Sequence, residues 1–189
     1  MNSHGAKKLI STVVLAAGLT FAGAATAQNK GGEINAKTLK TLKALAWQSL
    51  PSKIILADKR VIEINKTDPS QIIIPDDDAL RIIKAAHLTA RAHQCDLQEL
   101  VIANRDAIIK AEKASNKWSD SQLHYINTLH LYTVQLLVGK IEVIEEGKGD
   151  KQKGAAGATA SPATANCSDN EKNEILAAVE ANEKAAGKS

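Results

Sequence analysis

The stretch RAHQCDLQEL, residues 91–100, decides the fold, because one helical pattern stops inside it and another starts. Upstream, Pro75 precedes Asp76, Asp77 and Asp78. That order is a helix-start signal, with carboxylates at the positive end of the helix dipole. A calcium loop would also need a glycine and a later glutamate at set positions, which are missing, so the aspartates read as a helix cap. The first central helix is therefore predicted from about Asp76 to about Gln94.

Downstream, Asp96 and Glu99 make a capping-box-like pair, and Leu97, Leu100, Val101 and Ile108 follow at helical spacing. They predict a second helix from Asp96 to near Asn116. The third has the most specific local signal in the chain. Ser119 and Gln122 form a capping box, with Trp118 and Leu123 in the two staple positions. It should run through VQLLVGK, with Gly139 near its end. Its continuation IEVIEE, 141–146, reads equally well as a last turn or a short strand.

Short connections between these helices predict antiparallel packing. Leu39, Leu42 and Leu45 in 36–48 fit an amphipathic helix that packs on the core, in preference to a basic helix lying on a membrane surface. In 52–66, Ile54-Ile55-Leu56 and Val61-Ile62-Glu63-Ile64 flank the polar turn 57–60. A short β-hairpin at 53–65 fits, leaning on helices for stability. Ser168 and Glu171 repeat the capping-box spacing and open a last helix, 167–186, whose apolar content (Ile175, Leu176, Val179) is thin. The expected fold is mainly α: a small antiparallel bundle of three central helices, flanked by N- and C-terminal helices and the hairpin.

Around this helical domain, 36–146, lie segments of other kinds. Lys7 and Lys8 precede an apolar run from Leu9 to Leu19, and small residues follow, ending in Ala25-Thr26-Ala27. That layout reads as a secretory signal at 1–27. The run is too short for a membrane anchor, which needs about 20 apolar residues. Residues 28–35 read as a flexible tail. The Gly/Ala/Lys/Thr-rich 147–166 reads as a flexible linker, too poor in apolar surface to order itself. No later run approaches membrane-spanning length, so no transmembrane segment is expected in the mature chain, whose location would be periplasmic.

Cys95 and Cys167 are the cysteines of the chain, each directly before an expected N-cap. In an oxidising compartment two such cysteines most simply pair. The bridge would fasten the thin last helix and, on the chain-entropy model, stabilise by about 4 kcal/mol. The alternatives are a reactive thiol, activated by a helix N-terminus, and a metal ligand. No C-x-x-C motif supports a disulfide oxidoreductase or an attached haem.

Three polar residues fall on apolar helix faces. His130 lies amid Leu123, Ile126, Val134 and Leu137; His93 lies with Ile82 and Ala86; Asn104 shares a face with Leu97, Val101 and Ile108. They are candidates for a buried metal or small-ligand site built on His93 and His130, with Asn104 beside them. The plainer reading makes each a hydrogen-bonded core residue. Neither H-x-x-x-H nor H-E-x-x-H occurs, so no one-face chelate supports the metal. His124, beside Thr128 and Gln135, reads as solvated.

Catalytic signatures are missing: no G-x-S-x-G, and no phosphate-cradling loop after a strand. No acidic residue lies in an apolar stretch that would raise its pKa. The aromatic residues are few (Phe21, Trp47, Trp118, Tyr125 and Tyr132), which leaves little for nucleic-acid stacking. Residues and charge thus point away from an enzyme and from nucleic acid, and no cofactor is expected. The expected function is a non-catalytic accessory protein of the bacterial cell envelope, with another envelope protein as partner. An exposed apolar patch on the first helix, around Leu39, Leu42 and Trp47, would support that reading. The alternative is a periplasmic metal- or small-ligand-binding protein using the inward histidines.

Overall fold

The computed structural model describes residues 34–56, 58–141 and 167–187. The expectations for 1–27, 28–33, 142–146 and 147–166 fall outside those residues. Within them the order is α1 (Ala36–Ser49), β1 (Lys53–Ile55), β2 (Val61–Glu63), α2 (Asp76–Gln94), α3 (Gln98–Ala114), α4 (Asp120–Leu137) and α5 (Asp169–Ala186). The fold is mostly helical, a small bundle with a two-stranded antiparallel sheet.

Side-chain bonds fix how the helices run. Arg81, early in α2, pairs with Glu112, late in α3, so these two are antiparallel. Thr89 of α2 meets His130 of α4, and five residues on, Gln94 Nε2 donates to the Leu137 carbonyl at 3.2 Å. Thus α2 and α4 run the same way, as an up-down-up order requires. The main core gathers between α1, α2 and α4, from Leu42, Ala46, Ile82, Ile83, Tyr125, Ile126 and Leu129. Ile64, Ile72 and Ile74 from the segment before α2 join it. A smaller cluster of Ala86, Ala90, Val134 and Val138 extends the α2–α4 seam.

One expectation for the N-terminal part needs correction. Asn35 is no tail residue: its side-chain oxygen accepts the Thr38 N–H at 2.8 Å and caps α1, while Ile34 packs on the core. Leu39 and Leu42 are buried and Trp47 packs on the same core, as expected of an amphipathic helix, so α1 offers no exposed apolar patch there. Leucines at that spacing meet α4 instead of solvent.

The helix starts divide in the same way. Ser119–Gln122 and Ser168–Glu171 form complete capping boxes, and Trp118 and Leu123 both pack on the core. At α2, by contrast, Pro75 occupies the N-cap and no side chain caps it. Asp76 pairs with Lys43, and Asp78 with Arg81 and Lys117. The aspartates therefore favour the helix through its dipole and through ion pairs, not as caps.

The junction at 95–97 departs furthest from its local pattern. Asp96 is not an N-cap; it has φ 58°, in the left-handed region. Its N–H donates to the His93 carbonyl at 3.2 Å, and the Leu97 N–H to the Ala92 carbonyl at 2.9 Å. This is the closing motif of a helix C-terminus, usually built on glycine, with aspartate in the left-handed position. Gly139 ends α4 the same way, with φ 72°. α3 then starts with Leu97 at its N-cap and no side-chain cap.

In the hairpin, Ile54 opposes Ile62 and both lean on the core, while the pairs Lys53–Glu63 and Ile55–Val61 face outward. Arg60 bonds Asp58 and Asp120, each at 2.7 Å, and so ties the turn to the start of α4. The sulfurs of Cys95 and Cys167 stand at disulfide-bonding distance, with the Cα atoms 5.4 Å apart. They join the end of α2 to the start of α5.

Candidate functional site

The inward polar residues form a chain across four helices. His130 Nε2 of α4 lies 2.9 Å from Thr89 Oγ1 of α2. Asn104 of α3 donates its amide N–H to the same Thr89 oxygen at 2.7 Å and to the Ala85 carbonyl at 3.2 Å. Its carbonyl oxygen accepts from Asn182 of α5 at 2.8 Å. Thr89, Asn104 and His130 are each at most 2 % exposed. Groups so buried must find partners, and these find one another.

Of the three expected site residues, the structure thus brings Asn104 and His130 together, through Thr89. His93 stays out of the chain. It sits half-buried in the last turn of α2, with Nε2 3.3 Å from Lys140 Nζ and a buried Nδ1 that has no hydrogen-bond partner. The helix wheel turned all three residues inward; Asn104 and His130 are buried and His93 only half-buried, and a wheel carries no information on height along the bundle. Thr89 and Asn182 were missed, since a threonine amid alanines and an asparagine on a charged helix give no signal of their own.

Burial pushes the His130 pKa down to about 4, and the positive charge of Arg105 acts in the same direction. The folded ring is therefore neutral at ordinary pH, whereas in the unfolded chain it titrates near 6.5. Between those values the unfolded chain takes up a proton that the folded one refuses, so stability falls as the pH drops through that window and levels off below about 4. From pH 7 to pH 5 the loss due to His130 should be about 2 kcal/mol. Urea unfolding of the wild type and of His130→Gln at both pH values measures it. Equal losses in the two proteins would show that the ring is not held neutral by burial.

A second polar cluster lies at the other end of α2. Glu112 is buried, with its side chain 5 % exposed, and it accepts from Arg81 (Nη2 to Oε2, 3.2 Å) and from Trp118 Nε1 (2.7 Å). Arg81 also bonds Asp78, and Lys117 closes the circuit on Asp78 at 2.7 Å while lying over the Trp118 ring. The Glu112 carboxylate holds the Arg81 pKa above its usual range, and the Lys117 contact lowers that of Asp78. This cluster was also missed. Its only trace in the sequence is Glu112 four residues after Ile108, on the same face. Three helix ends meet here, and the ions hold them in place.

On the surface, a groove of about 330 Å³ runs between α3 and α4, lined by Arg105, Asp106, Ile109, Leu123, His124 and Asn127. His124 is half-buried along it instead of fully solvated. The guanidinium of Arg105 is bonded to Asp106 at 2.8 and 3.1 Å, so the strongest donor of the groove is already engaged. Among the described residues no three His, Cys, Asp or Glu side chains gather as a metal would require, and none of the helices is long and apolar enough to cross a membrane. No protein-family model, no curated protein and no solved structure matches the chain.

Proposed function

We propose that this is an exported, non-catalytic accessory protein of the bacterial cell envelope, acting through contacts with another envelope protein. The observation that carries the reading is how the interior polar groups are used. His130, Thr89, Asn104 and Asn182 bond one another across four helices, as in a rigid frame. Export is supported by the basic, apolar and small-residue succession of 1–27 and by a cysteine pair set for a bridge, which persists in oxidising compartments. On this reading 1–27 is removed, 147–166 is a spacer, and the last helix returns to the domain through Cys95–Cys167.

With no exposed apolar patch on α1, the contact surface on this reading lies on the hairpin. Ile55 is 72 % exposed and Val61 48 %, and they sit directly opposite each other on the outer face. Lys53 and Glu63 flank them on that face, so the patch has an apolar centre and a polar rim, as protein interfaces do. The rival reading, a metal or ligand held by His93 and His130, is weaker. The Lys140 ammonium lies against His93 Nε2, and Thr89 takes His130 Nε2.

A photo-crosslinking residue at position 55, in the full chain in intact cells, tests the proposal. One discrete adduct is expected, lost in Val61→Asp and absent when the probe stands at the exposed Glu180 position. No adduct at 55, or the same adducts at both positions, would overturn it.

A further inference from the structure

α5 is attached differently from the other helices. Its buried apolar side chains are Ile175, Val179 and Ala186. The first two sit in a small cluster of their own with Ala92, walled by Leu88, Leu97, Leu100 and Val101 and separate from the main core. Asn182 adds one hydrogen bond to Asn104. The ion pair Arg91–Glu174 spans 3.7 Å between side chains at least half exposed, which contributes little. Ile175, Val179, the small Ala186 and the Asn182 bond are a modest return for ordering 18 residues, since a helix of this length is marginal alone.

Against this stands the cysteine pair. Cys95 closes α2 and Cys167 directly precedes the Ser168 cap, so the bond pins the very start of α5. Both cysteines are half-buried, and the sulfurs lie at the edge of the α5 cluster, not under the main core.

We infer that Cys95–Cys167 is a releasable clasp: reduction undocks α5 and opens its groove on α2 and α3, while α1 to α4 stay folded. The reductant is a dithiol, either a thiol–disulfide exchange protein of the envelope or dithiothreitol. One thiolate attacks a sulfur of the bridge, the Cys95–Cys167 bond breaks, and a mixed disulfide forms. The second thiolate of the same dithiol displaces it. The dithiol leaves as a disulfide, having given up two electrons, and both cysteines end as thiols. Release also removes Asn182 from Asn104, so the oxygen of the buried relay opens to water. The groove left behind suits an amphipathic helix with apolar residues four apart, and its resident occupant is α5 itself.

Hydrogen exchange of the full mature chain, oxidised and then in dithiothreitol, tests this, with Cys167→Ser as a variant that needs no reductant. Amides of α5 should exchange at least about a hundredfold faster after reduction. The same acceleration is expected in Cys167→Ser, while α2 and α4 around Ile82 and Leu129 keep their protection. Unchanged protection of α5 would show that it docks unaided, and loss of protection throughout would show that the bridge holds the whole fold. Either result overturns the clasp.

Discussion

Tyr125→Ala should lower the free energy of unfolding by about 4 kcal/mol, within the range for removing a large buried aromatic ring. Tyr125 is fully buried in α4, at the centre of the main core among side chains from α1, α2 and α4. Its hydroxyl donates to the Lys43 carbonyl of α1 at 3.1 Å, and burial drives its pKa well above the ordinary tyrosine value. Two contributions can be separated. Tyr125→Phe keeps the ring and removes only the hydrogen bond, at a cost of about 1 kcal/mol. The remaining loss in the alanine variant is the cavity and the lost transfer of the ring from water. Equilibrium urea unfolding measures both. A loss under about 1.5 kcal/mol for Tyr125→Ala would mean that α1 and α4 are not packed through this residue.

Asn104→Ala should cost about 3 kcal/mol, more than a typical substitution, because it strands several groups at once. Thr89 loses the donor at 2.7 Å, the Ala85 carbonyl loses one at 3.2 Å, and Asn182 loses its acceptor. Asn182→Ala, at the half-buried end of the relay, should cost only about 1 kcal/mol. Because both variants remove the same bond, the double variant should cost less than the sum of the single ones. Equal costs for Asn104→Ala and Asn182→Ala would count against a relay centred on Asn104.

What could be read in advance was local. The capping boxes at Ser119 and Ser168 depend on residues three apart, and both formed as expected. The apolar stripes placed Asn104 and His130 inside because a helix repeats its own faces. Local patterns failed where two motifs share one spelling. Asp96 and Glu99 spell a capping box, yet the chain reaches Asp96 already closing α2, and the left-handed turn took the aspartate. What joins the faces was not legible. Thr89, Asn182 and the Arg81–Glu112–Trp118 set depend on the relative heights of separate helices, and no periodicity within one helix records that.

The position of α5 after α1 to α4 also sets an order of events in time. A chain made from its N-terminus has α1 to α4 in hand before Cys167 appears, and domains generally begin folding as they emerge. During that interval Cys95 is a thiol without its mate, and Leu88, Leu97 and Val101 line a groove that, among the described residues, is covered by α5. The nascent protein therefore passes through a stage when it is most open to wrong thiols and to sticky neighbours. That stage ends when the eighteen residues of α5 arrive.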